Sequence, residues 1–228
     1  MEINYIGHST VELVDGDTRV LIDPFLAPNN PAAKVSADDV DPTHVVITHA
    51  HQDHFADAVA VGKRTRASFV TISELANVLG EQGIEDFTDP NLGGTVEFDW
   101  GWVKLVPAWH TAVSPSGTAH APAGLLISYD GHLIYHLGDT CLFSDMQLIA
   151  RRGDKVDMAL VPIGGHFTMD RYDAVTAVEF INPQQVIPIH YGTFPPVETD
   201  AQAFKQDVQQ AGFSEVRVLN PGDTHPLK

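Results

Sequence analysis

The stretch Thr48-His49-Ala50-His51-Gln52-Asp53-His54 limits the fold most tightly, because it sets three histidines and an aspartate directly after the apolar run Val45-Val46-Ile47. A short run of β-branched residues reads as a buried strand. In the extended chain that follows, residues i and i+2 face the same side, so His49 and His51 can address one cation. The chain then turns toward a helix, and Asp53 and His54 at its start can reach a second. Imidazole nitrogen and carboxylate oxygen are ligands for zinc and similar ions at about 2.0–2.2 Å. A catalytic metal pair needs more than four ligands, so other strands must end nearby with histidine or aspartate.

Three residues fit that requirement. His110 closes "VKLVPAWH", Asp139 closes "HLIYHLGD" and His190 closes "QQVIPIH". Each follows an apolar run and precedes a loop, so the strands bury their middles while these ends converge on one rim. Seven ligands serve two divalent cations when Asp139 bridges them. Zinc is the first expectation, and the mixed imidazole and carboxylate set also accepts manganese, iron or nickel.

The rest of the chain reads as a framework for that rim. The 228 residues suit one domain, 1–228. Strands are expected over 2–6, 10–15 and 19–23, then a Pro- and Asn-rich loop over 27–42. A strand at 44–48, a helix at 55–63, a strand at 68–72 and a helix at 73–82 capped by Ser73 follow. Strands return at 95–98, 103–107, 124–129 and 133–137. Helices at 145–152, 172–181 and 201–210 then alternate with strands at 158–163, 185–189 and 215–219. Two β blocks, each followed by helices, imply an α/β class chain with two mixed sheets face to face and helices outside.

Composition excludes several partners. Thirty acidic against thirteen basic residues give a net charge of −17, which repels polyanions. The densest basic group, Lys63-Arg64-Thr65-Arg66, reads as the solvated end of a helix, so no nucleic-acid surface is expected. Cys141 is the only cysteine, which rules out an intrachain disulfide; with no base placed for it, it reads as a buried thiol. No apolar run reaches about 18 residues, so no membrane partner is expected, and the cytoplasm is the expected location. The expected partner is a small-molecule substrate, and the 27–42 loop leaves a homo-oligomer contact or a pocket lid open.

The order His-x-His-x-Asp-His, then His110, Asp139 and His190, resembles the metallo-β-lactamase superfamily. "GHST" with "LIDPF", "NLGGTVEF", "PIGGHFTM" and "IPIHYGTFP" resemble more closely its widespread metal-dependent hydrolase family, to which ascorbate-6-phosphate lactonases are similar. The resemblance implies an αββα sandwich. It assigns His49, His51 and His110 to one metal and Asp53, His54 and His190 to the other, with Asp139 between them. Asp23 would orient a ligand histidine.

The reaction expected of such a site is hydrolysis by a hydroxide bridging the two metals, with Asp53 orienting it, on a small ester, lactone or phosphodiester. His8 and His166, in loops at strand ends, are candidates for donating a proton to the leaving group or holding an anionic substrate. Two rival readings use the same ligands: an iron-containing redox enzyme of the same fold, and a catalytically silent metal-binding protein.

Overall fold

The computed structural model describes residues 1–149 and 154–228. Strands β1 (Glu2–Gly7), β2 (Thr10–Asp15) and β3 (Thr18–Ile22) form an antiparallel meander. β4 (His44–Val46), β5 (Ser68–Val70) and β6 (Phe87–Thr88) extend it in parallel. Parallel neighbours need long crossovers: the loop over 23–43 joins β3 to β4, α1 (Gln52–Phe55) and α2 (Ala58–Thr65) join β4 to β5, and α3 (Ser73–Glu81) joins β5 to β6.

The second sheet repeats this plan. β7 (Thr95–Phe98) and β8 (Gly101–Pro107) pair antiparallel, a small hairpin of β9 (Ala112–Val113) and β10 (Ala119–His120) interrupts, and β11 (Ala123–Tyr129) and β12 (His132–His136) continue the antiparallel part. β13 (Met158–Pro162), β14 (Gln185–Ile189) and β15 (Glu215–Val216) then join in parallel, between helices α4 (Met146–Ile149), α5 (Arg171–Ile181) and α6 (Ala201–Ala211). β16 (Thr224–Pro226) returns to pair with β1, so each sheet has seven strands.

Period-2 alternation sorts the strands of the second sheet between two cores. Leu105, Leu125, Ile127, Ile134 and Leu160 join Ile3, Val11, Leu13, Val20 and Ile22 of the first sheet in one buried cluster, which fills the space between the sheets. Their neighbours Val106, Leu126, Leu133, Tyr135, Ala159 and Val161 instead meet Ala177 and Val178 of α5 and Phe204 and Val208 of α6. Strands buried on both faces and helices outside make the αββα sandwich that the two β blocks imply.

Strand direction places the site. β3 and β4 run parallel, and two antiparallel steps from β3 give β1 the same direction. In the second sheet β8 is two antiparallel steps from β12, so β8, β12 and β14 share a direction. His8 follows β1, Asp23 follows β3, His49 to His54 follow β4, His110 follows β8, Asp139 follows β12 and His190 follows β14. Every one of these side chains therefore stands beyond the carboxyl end of a strand, where open α/β sheets hold their ligands.

Several local expectations change. The helix expected at 55–63 is two pieces: a single turn holds Gln52, Asp53 and His54, and Asp57 interrupts because its carboxylate accepts from the Leu26 N–H at 2.7 Å and from Asn29 Nδ2 at 2.8 Å. Ile72, not Ser73, precedes the first turn of α3. The helix expected at 145–152 is described only over Met146–Ile149, and its expected continuation over 150–152 lies outside the described residues. Arg64 does more than solvate a helix end: it donates to the carbonyls of Ala37 and Val40 and so fastens the 27–42 loop. Cys141 is exposed rather than buried, because the neighbouring Thr140 takes the interior position, where its hydroxyl accepts from the Trp109 N–H.

Candidate metal centre

The six strand ends deliver their side chains to one place. His49, His51, His110 and Asp139 have potential ligand atoms within 4.8 Å of one another, and so do His8, Asp53, His54 and His190. Asp139 lies between the groups: its carboxylate oxygens are 3.8 Å from His49 Nε2 and 3.5 Å from His110 Nε2 on one side, and 3.2 Å from His54 Nε2 and 3.1 Å from His190 Nε2 on the other.

These contacts are close but poorly aimed at each other. Among the described residues, His54 Nε2, His190 Nε2 and Asp139 Oδ1 are buried and lack a hydrogen bond of acceptable geometry. Buried polar atoms without partners are rare and call for an explanation. Nitrogen pairs also crowd together, with His51 Nδ1 3.0 Å from His49 Nε2 and 3.3 Å from His110 Nε2. Ligands about 2.0–2.1 Å from a tetrahedral zinc are roughly 3.3 Å apart. Lone pairs converging on a shared point at that spacing fit divalent cations, so the donor set and its geometry agree.

Asp23 explains how two of the histidines are aimed. Fully buried, it accepts from the Thr48 N–H at 2.7 Å, the Thr48 hydroxyl at 2.7 Å and His54 Nδ1–H at 2.8 Å. With its proton committed at Nδ1, His54 turns Nε2 into the site. Thr48 passes the same control on, since its Oγ1 lies 3.0 Å from His49 Nδ1 and leaves His49 Nε2 facing His51. Positive φ at His8 (59°), Asp23 (48°) and His190 (56°) shows the backbone held in the left-handed region at three of the strand ends. Such conformations persist where the surroundings enforce them. Gly138 does related work ahead of Asp139: its φ is 63°, and a Cβ there would stand 2.6 Å from the Ala123 carbonyl oxygen.

Charge balances within the cluster. Burial alone would lower the His190 pKa, but Asp139 and then Asp53 outweigh it and raise it to about 9. Burial opposes charge on His54 too, yet Asp139 and Asp23 lift its pKa well above the ordinary value. Burial would raise the Asp139 pKa, whereas His190 and His54 hold it well below the carboxylate range. For His49, burial and His54 prevail and its pKa is well below 6.5. The two carboxylates thus hold positive charge among the imidazoles, and a metal would take the place of protons there. In chelated protein the folded His190 pKa of about 9 lies above its ordinary 6.5. Its contribution to stability is therefore full below pH 6.5 and lost as pH rises through 9. Melting temperatures of chelated protein across this range should fall with pH, and fall less in Asp139→Ala.

His8 joins the second group in a role the sequence leaves open. Its Nε2–H donates to Asp53 Oδ2 at 3.0 Å, and its Nδ1 accepts from the Thr193 hydroxyl at 3.0 Å. Burial, with the charge of His190, pushes its pKa down to about 4, so it is neutral at pH 7. Sequence reasoning misses Thr193, whose only signal is a hydroxyl three residues after His190. His166 is exposed, packs edge-on against Phe167 and is in neither group.

A family model described as a β-lactamase superfamily domain matches residues 2–190. The chain belongs to the metallo-β-lactamase superfamily. Within that superfamily it is 46% identical over 224 residues to a UPF0173 metal-dependent hydrolase of Thermus thermophilus, covering 98% of this chain and 97% of the relative. A UPF0173 metal-dependent hydrolase of Methanopyrus kandleri is 43% identical over 233 residues, covering 99% of each. The solved structure of Igni18, a metallo hydrolase from Ignicoccus hospitalis, superposes with a TM-score of 0.89 at 37% identity, covering 100% of this chain and 99% of that one. This superfamily member is thus one of a group of metal-dependent hydrolases. Among its described residues no helix is long and apolar enough to cross a membrane.

Proposed function

We propose that this protein is a dinuclear metal-dependent hydrolase acting on a small ester, lactone or phosphodiester. The observation that carries the reading is the pair of adjacent ligand groups, with Asp139 within 3.8 Å of histidines of both and, among the described residues, His54 Nε2, His190 Nε2 and Asp139 Oδ1 buried without partners. His49, His51 and His110 would hold one cation, Asp53, His54 and His190 the other, and Asp139 both. When bound, two such cations supply Lewis acidity and a hydroxide nucleophile at neutral pH.

The remaining chemistry belongs to the chain. Asp53, about a quarter exposed at its side chain, is the more exposed carboxylate of the pair. Its pKa is depressed, because the neighbouring His190 and His8 imidazoles, with His54, outweigh burial, so it stays an acceptor. It can orient a nucleophile through hydrogen bonding. His8 keeps Asp53 in place: the acceptor-only Asp53 carboxylate fixes the tautomer with the proton on Nε2, and the Thr193 hydroxyl meets the free Nδ1. Asp23 holds His54 directly and His49 through Thr48. Losing such an orienting group typically costs 10–100-fold in metal affinity or activity. Asp23→Ala should weaken metal binding by about that factor, read by competition with a chromogenic chelator.

The test of the reading is a panel of esters, lactones and phosphodiesters assayed with zinc-, manganese-, nickel- and iron-loaded protein, each with and without chelator. Turnover that chelation abolishes and metal restores is expected. Oxygen consumption by the iron form without hydrolysis would overturn it in favour of redox chemistry, and inertness toward every substrate would favour a silent metal-binding protein.

A further inference from the structure

A cleft of about 630 Å³ lies against the metal centre and shares His51 with it. Its apolar wall comes from Phe55, Ala56 and Val59 of the α1–α2 region, Val78 of α3 and Val113 of the β9–β10 hairpin. No lysine, arginine, aspartate or glutamate is among the described residues lining it.

Most of its polar groups are already engaged. Asn29 gives its Nδ2 to Asp57, and the hydroxyls of Ser114 and Ser116 lie 2.9 Å apart in a mutual hydrogen bond. The amides of Gln52 and Gln82 remain to meet a ligand, and both residues are exposed. An anionic arm lying along this cleft, away from the His51 end, would find no cationic side chain to pair with, on a molecule of net charge −17. An uncharged chain would exchange water for hydrocarbon along the valine and phenylalanine wall. The volume falls within the roughly 300–1,000 Å³ typical of small-molecule sites.

We propose that this cleft holds the uncharged, mainly apolar acyl arm of an ester or lactone substrate, with the reacting carbonyl at the His51 end. The inference rests on the hydrolase reading above and narrows it away from phosphodiesters. Val113 and Ala56 then set the preference for acyl length, one at the hairpin and one on the helical wall.

Two arms test this on zinc-loaded protein. In the first, kcat/KM is measured for p-nitrophenyl acetate, butanoate, hexanoate and octanoate and for bis(p-nitrophenyl) phosphate. Efficiency should rise about fourfold per methylene until the cleft is full, with the phosphodiester poorest. In the second, calorimetry compares acetohydroxamate with octanohydroxamate, which bind without being hydrolysed; the longer chain should bind at least tenfold more tightly. Val113→Asp, and separately Ala56→Phe, should flatten both the ester series and the hydroxamate ratio to less than twofold per added pair of methylenes. Metal content and melting temperature verify that each variant is folded. A flat wild-type series, an unchanged slope in both folded variants, or preference for the phosphodiester would overturn the proposal. If no ester or lactone is hydrolysed, the hydrolase reading fails, while the hydroxamate ratio and its loss in the variants still decide the cleft.

Discussion

Asp139→Ala should lose both cations and all measurable turnover. Asp139 is nearly fully buried and lies within 3.8 Å of four imidazole nitrogens drawn from both ligand groups. Removing a group that only orients a ligand already costs about 10–100-fold in metal affinity. A carboxylate shared by both positions should therefore cost more than about 100-fold. The same change removes the charge that does most to raise the His190 pKa to about 9, so this histidine should titrate well below that value. Competition with a chelator reads the affinity, and imidazole NMR on chelated protein reads the titration. Wild-type affinity in the folded variant would refute the bridging role.

Asp53→Ala should bring a different loss. Its carboxylate is 3.0 Å from His8 Nε2 and 3.5 Å from His190 Nε2 and is the more exposed of the two site carboxylates. If it orients the nucleophile, kcat should fall by about 10²–10⁴, the range typical of positioned acid–base groups. The Asp139-centred group should meanwhile keep its own cation, so the variant should retain metal while losing turnover. His8→Gln should have a smaller effect, since it removes only the support for Asp53, and should shift the pH profile of kcat more than it shifts KM. Full activity of Asp53→Ala with metal bound would exclude the mechanism.

The convergence of the candidate ligands was legible in the sequence because they occupy repeated local contexts. His110, Asp139 and His190 each follow an apolar run, and direction within the sheets converts that pattern into convergence at one rim. The layers were legible for a related reason: alternation along Gly101–Pro107 and Ala123–Tyr129 sends Leu105 and Leu125 to one core and Val106 and Leu126 to the other. What escaped depends on distant contacts. The break at Asp57 follows from its hydrogen bonds to Leu26 and Asn29, some thirty residues earlier in the chain. The return of Thr224–Pro226 to β1 joins the two ends of the chain, and no local pattern announces it. Thr193 acts only through His8, 185 residues away. His166 sits in the motif-like segment "PIGGHFTM", yet it is exposed and joins neither ligand group.

The central claim is that these strand ends build two adjoining cation positions. Elemental analysis of purified protein, reconstituted with zinc and freed of excess metal by gel filtration, tests it most directly. The account predicts two zinc ions per chain in the wild type, falling below one in Asp139→Ala. A wild-type ratio near zero, or a ratio of two that Asp139→Ala leaves unchanged, would contradict it.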